Sequence, residues 1–269
     1  MNSRPSYSLA RVGTMTQRYL YLLLGSWPRL LEMVYWPTVQ MVTWGFITKF
    51  FLTNSSWLVQ AAGMLLAAVL LWDVLFRGQM GLTLMFFEEM YARNLGNLFI
   101  SPLRPVELAA SLIVMSIVRT VISFTGAALL AILFYRYNIF IMGLPLLLFF
   151  ILLIVWGWSL GLLIVSLVLR YGLGAEGLAW VIIFAVGPIS GVYYPISTLP
   201  GWLQTIAWFL PSSHVFEGMR ALLLTGEMQM PFLVTAAALN VVYLALGLGV
   251  FLFTFEVARR RGLLLNLGE

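Results

Sequence analysis

Two polar constellations and one isolated cation stand out in a chain with few reactive groups. Glu88 and Glu89 form its only adjacent acidic pair, and Arg93 and Arg104 follow within Phe86 to Pro105, a stretch bounded on both sides by long apolar runs. Charged groups this close together on a polar, helical island suit contact with a water-facing partner. His214, Glu217 and Arg220 recur every third residue, so a helix would align them as one polar stripe. Such a stripe either satisfies itself through an intrahelical network that holds an outer gate, or meets a substrate. Arg119 lies 13 residues beyond Val106 in an apolar run, about 20 Å deep at about 1.5 Å per residue. A charge at that depth costs about 2.5 to 3.5 kcal/mol on insertion scales unless it is paired or hydrated. Three roles are open to it: a partner for helix-end carbonyls or a carboxylate such as Glu217, a cavity group for an anionic substrate, or a cation snorkelling to the headgroups.

Other chemistries are excluded or weak. Cys is absent and there is one His, which removes thiol nucleophiles, disulfides and the familiar metal-ligand spacings. No G-x-x-x-x-G-K-[ST] phosphate loop occurs, so no ATP site or other cofactor site of the usual kind is expected in this chain. Gly157-Trp-Ser159-Leu-Gly161 has the spacing of a nucleophile elbow but sits in an apolar run, where small residues serve helix packing.

The elements that must position these groups are membrane helices. Hydrophobic residues make up 62% of the 269 positions and charged residues only 9%, against about 25% in soluble domains. The formal charge of +5 comes from 14 Arg and one Lys at the ends of apolar runs, which points to lipid headgroups and topology rather than nucleic acid. The N-terminus does not read as a cleaved signal peptide. A span takes about 20 mostly apolar residues. Six stretches qualify: Leu31 to Leu52, Trp57 to Phe76, Val106 to Phe134, Ile139 to Leu169, Gly177 to Tyr194 and Phe232 to Phe255.

Six spans put both termini on one side. With the termini in the cytoplasm, eleven arginines fall inside, among them Arg4, Arg11, Arg18, Arg29, Arg77 and Arg93, against three cations outside: Lys49, Arg136 and Arg220. That orientation makes the chain a multi-pass protein of the inner membrane and puts Phe86 to Pro105 in the cytoplasm. Residues 12–27 read as an amphipathic helix on the membrane surface, with Met15, Tyr19, Leu22, Leu23 and Trp27 apart from Arg11, Gln17 and Arg18. Asp73, Glu32, Glu176 and Glu256 fall near cytoplasmic span ends, and Trp27, Trp36, Trp57, Trp72, Trp202 and Trp208 near interfaces. Between Gly187 and Leu223, Pro188, Pro195, Pro200 and Pro211 forbid one continuous helix, so apolar pieces such as Trp202 to Leu210 are expected to dip back into the outer leaflet.

Two segments carry a family resemblance. EEMYARNLGNLFISPLRPVEL resembles the cytoplasmic coupling helix of ABC-2 type permeases, which leads into a Ser-Pro-Leu-Arg-Pro-like turn. YYPISTLPGWLQTIAWFLPSSHVFEGMR resembles that family's external re-entrant region. The resemblance implies an all-α membrane protein with six spans, an interfacial helix at 12–27, a coupling helix and turn at 86–105 and a split re-entrant segment at 195–220. It implies two permeases assembled with two nucleotide-binding ATPase subunits, ATP and Mg being held by the ATPase. Glu88, Glu89, Arg93, Ser101, Pro102 and Arg104 would couple to the ATPase, and Pro200, Trp202, Pro211, His214, Glu217 and Arg220 would form the outer gate. The prolines at 102 and 105 bias the residues before them to extended backbone and make a stiff corner.

Three functions fit these readings. The first is an exporter permease moving an amphiphile, such as a lipid-linked glycan, a glycolipid or a hydrophobic drug, out of the cytoplasmic leaflet. The second is a polysaccharide channel lined by aromatic rings at a permease seam. The third is an ATP-independent membrane scaffold or enzyme.

Overall fold

A computed structural model describes residues 5–54 and 58–261; Arg4 and Trp57 lie outside them. The described residues are mostly helical, with turns and short extended connections and no strand. In order come α1 (Pro5–Leu24), α2 (Trp27–Asn54), α3 (Leu58–Tyr91), α4 (Leu95–Ile100), α5 (Pro105–Tyr135), α6 (Leu144–Tyr171), α7 (Leu178–Ile189), α8 (Gly201–Ala207), α9 (Pro211–Thr225) and α10 (Met230–Arg260). Helix α3 is the central element, packed along α6, α5 and α2, while α6 also carries α10 on its other side. Leu70, Leu71, Val74, Leu75 and Leu82 of α3 are fully buried.

The α3–α6 crossing is close because glycines sit at it. A Cβ at Gly157 would lie 2.8 Å from the Leu75 carbonyl oxygen and the Gln79 amide nitrogen. Ser159, between α6 and α10, donates its hydroxyl to the Val155 carbonyl at 2.9 Å. The Gly157 to Gly161 spacing is thus a packing feature, as small residues in membrane helices generally are.

Four helices among the described residues are long and apolar enough to cross a membrane: α3 from Gly63, α5, α6 and α10. The expected span ending at Phe76 in fact continues as α3 to Tyr91. Its Asp73 and Arg77 are four residues apart and bonded to each other, so Arg77 does not end the helix. Helix α2 is long enough at 28 residues but more polar, carrying Arg29, Glu32, Gln40 and Thr43. Helix α7 has only 12 residues, about 18 Å, because the chain turns after Pro188 and Gly191 adopts a φ of +63°.

The N-terminal helix also differs from its expected face. Its Arg11, Met15, Arg18 and Tyr19 lie together toward α3 and α5, whereas Leu9, Tyr21, Leu22, Leu24 and the following Trp27 are exposed. Residues three and four apart share a helical face, and here that face mixes arginines with apolar groups. Trp72, 4% exposed, belongs to the core and not to an interfacial belt.

Candidate functional site

At one end of the bundle, three carboxylates tie α1 and α2 to α3 and α5. Glu107, in the first turn of α5, accepts hydrogen bonds from Arg11 Nε at 2.8 Å, Ser8 Oγ at 2.8 Å and the Arg104 backbone N–H at 2.9 Å. Glu89 is bonded to Arg18 and accepts from Asn94 Nδ2 at 2.6 Å. Glu88 lies 3.4 Å from Arg29 and 4.0 Å from Arg119. Adjacent helical residues point about 100° apart, so the two carboxylates serve different neighbours: Glu89 faces α1, and Glu88 faces α2 and α5. Hydrogen bonds to Glu107 and Glu89 hold the Arg11 and Arg18 guanidinium groups above their ordinary pKa.

The stretch expected as one helix from Phe86 to Ile100 is in two pieces. Phe86 to Tyr91 is the last turn and a half of α3, Arg93 takes a left-handed φ of 52°, and α4 has six residues. Ser101 and Arg104, each before a proline, are extended, with ψ of 159° and 152°. Arg93, Pro102 and Arg104 are exposed around this corner, and Ile100 is 87% exposed.

Above this end lies a cavity of about 370 Å³ between α2, α3, α5 and α7. Its walls carry three arginines, Arg29, Arg77 and Arg119, and three carboxylates, Glu32, Asp73 and Glu88. Aromatic groups close it: Trp36, Trp44, Phe76, Trp180 and Phe184. Asp73 accepts from Arg77 Nε at 3.2 Å and from Ser123 Oγ at 3.0 Å. A helical side chain leans toward the N-terminus of its helix, which sends Arg77 back to Asp73 and sends Arg119, on the antiparallel α5, down toward Glu88. Arg77 Nη2, Arg119 Nε and Gln40 Oε1 are buried without a hydrogen-bond partner. Trp36, Trp180 and Phe184 are also exposed on the outside, so the lateral wall is one side chain thick.

At the opposite end, Arg220 of α9 donates to the Gly191 carbonyl at 2.7 Å and lies 3.0 Å from Glu217. Glu217 in turn accepts from the Ile196 backbone N–H at 2.7 Å. Glu217 is therefore not the partner of Arg119. His214 Nε2 is 2.9 Å from the Trp208 carbonyl. The stripe reaches beyond its own helix and binds the turn after α7 to α9, helped by a 2.6 Å contact between Ser190 and Ser212 hydroxyls. Pro200 precedes α8, Pro211 opens α9, and Trp202 is 67% exposed.

The sequence pattern of the family described as ABC-2 type transporter matches residues 12–224, most of the chain. The chain belongs to the ABC-2 type transporter family. It is a membrane component of a transporter and not itself the catalytic part. No curated protein matches it.

Within this ABC-2 membrane domain, sequence reasoning found Arg119 but missed four of the cavity's charged residues. The run lengths put Glu32 and Asp73 near cytoplasmic span ends, and Arg29 and Arg77 among the cytoplasmic charges. In the fold Arg77 lies 14 positions before the end of α3, about 21 Å along it. The available signal was the Asp73–Arg77 spacing of four, which pairs two charges on one helical face.

Proposed function

We propose that this permease is the membrane half of an ATP-driven exporter that takes an amphiphile from the cytoplasmic leaflet and releases it outward. The observation that carries the reading is the cavity inside the bundle, where charged groups meet aromatic walls one side chain from the lipid. A charged head can leave the membrane surface there without losing all its polar partners, while a chain stays against Trp180 and Phe184. The orientation has the α1, α4 and α10 C-terminal end in the cytoplasm of an inner membrane, in keeping with Arg93, Arg104, Arg170, Arg259 and Arg260 at that end.

An ABC ATPase subunit docks on the corner formed by Arg93, α4, Ser101, Pro102 and Arg104, with a second permease completing the assembly. ATP and Mg sit on the ATPase. Glu88 and Glu89 act one step further in: their bonds to Arg18, Arg29 and Asn94 make α1, α2 and the end of α3 move with the corner. At the far end, the Arg220–Glu217 network holds the α7–α9 turn as an outer gate. The test is ATP hydrolysis by the purified assembly in lipid, with candidate amphiphiles added. The reading expects stimulation by some of them and its loss on replacing Arg93 or Glu88; hydrolysis indifferent to both would sink it.

A second reading is favoured by the exposed aromatic groups Tyr35, Trp36 and Phe46 on α2 and Trp180 and Phe184 on α7. Two copies facing each other there would line a seam suited to a polysaccharide. Stimulation by a lipid-linked polysaccharide, and not by single-chain amphiphiles, would select it.

A further inference from the structure

Both signs of charge occur on α2 and α3, where Arg29 is paired with Glu88 and Asp73 with Arg77, but the cavity's remaining polar groups divide by wall. Unsatisfied donors are on α3 and α5, where Arg77 Nη2 and Arg119 Nε are buried without a partner. The free acceptors are on α2: Gln40 Oε1 is buried without a partner, and Glu32, which is exposed, makes no ion pair among the described residues. The Arg119–Glu88 separation of 4.0 Å leaves that pair loosely engaged. A buried donor or acceptor left without a partner is unfavourable, so opposed sets of them favour a ligand that supplies both. Equal numbers of arginines and carboxylates disfavour a simple anion, and the division of the unpartnered groups between opposite walls disfavours a neutral head.

We propose that this cavity binds the head of a zwitterionic amphiphile, its anionic group against Arg77 and Arg119 and its cationic group against Glu32, Gln40 and the ring of Trp36. Guanidinium groups match phosphate geometry, and an indole face attracts an ammonium group. A volume of about 370 Å³ is near the lower end of ligand pockets, about 300–1,000 Å³, and suits one compact head rather than an oligosaccharide. The single-layer wall of Trp180 and Phe184 lets the chain stay outside the head site. Calling this ligand the substrate rests on the permease reading; the binding site itself does not.

The test uses the full chain in dodecyl maltoside micelles doped with single-chain lipids of equal length and different heads. The heads are phosphocholine, phosphate, choline ester and uncharged glycerol. Binding is read from the rise in unfolding midpoint, followed by tryptophan fluorescence. The wild type should bind the phosphocholine lipid about tenfold more tightly than either the anionic phosphate lipid or the cationic choline ester. Arg119→Gln should remove its advantage over the choline ester, with Arg119→Lys retaining part of it. Glu32→Gln, at an exposed position, should remove its advantage over the phosphate lipid. Equal binding of all four heads, or tighter binding of the phosphate lipid by the wild type, would overturn the proposal. Binding of chain-free glycerophosphocholine with equal affinity would overturn the amphiphile assignment. Head selectivity without stimulation of ATP hydrolysis in the assembled transporter would sink the transport reading alone, and stimulation without head selectivity would sink the site alone.

Discussion

Replacing Arg18 by Ala should harm the docking of α1 more than replacing Glu89 by Gln, although both break the same ion pair. The Glu89 side chain is 2% exposed and that of Arg18 is 38% exposed. Removing Arg18 leaves a buried carboxylate with Asn94 as its remaining side-chain partner, and stranding a buried charge costs about 3 kcal/mol or more. In Glu89→Gln the buried group becomes neutral and keeps an acceptor for Asn94, while Arg18 turns to solvent, so the loss is about 1 to 2 kcal/mol. Amide hydrogen exchange across α1, in detergent or lipid, reads the opening free energy of that helix. About 3 kcal/mol corresponds to roughly a hundredfold faster exchange, and about 1 to 2 kcal/mol to roughly five- to thirtyfold. The double variant should resemble Glu89→Gln alone, because neutralising the carboxylate removes what Arg18→Ala strands. Equal effects of the two single variants, or an additive double variant, would refute the argument that burial of Glu89 dominates.

Further predictions concern packing, the cavity and the two ends. Gly157→Ala should lower the unfolding midpoint, at a cost of about 1 to 3 kcal/mol, because the new methyl meets α3 backbone at 2.8 Å. Gly126→Ala, with nothing within 4 Å, should raise the midpoint through a gain of about 0.5 to 1 kcal/mol in helix stability. Asp73→Asn leaves Arg77 without its counter-charge and should cost about 3 kcal/mol in the same thermal assay, whereas Glu256→Gln, at an exposed pair, should cost under about 1 kcal/mol. Arg220→Lys should fail to restore transport lost in Arg220→Ala, since an ammonium group cannot reach the Gly191 carbonyl and Glu217 together in the guanidinium geometry. Arg93→Glu, at an exposed position, should reduce co-purification of the ATPase while leaving the unfolding free energy within about 0.5 kcal/mol of wild type.

The sequence by itself determined that this is a helical membrane protein, and its two motif segments carried the family. Those conclusions depend on local properties: run length, charge frequency, proline positions and residue order. The helix ends at the proline corner were legible for the same reason, since a proline acts on the residue beside it. What the tertiary structure decided is which charges meet. A hydropathy count treats Asp73 and Arg77 as two separate costs, yet folding makes them one bonded pair with Ser123 of α5, and α3 continues through them. Glu88 and Glu89 were readable as a polar pair, but spacing says nothing of what surrounds a helix. Only the positions of α1, α2 and α5 turn the pair inward and separate its two partners. The cavity was illegible for the same reason: its arginines and carboxylates come from residues 29 to 119, and no local pattern joins them. Charges in a membrane protein are placed by their partners, and the partners are known only once the helices pack.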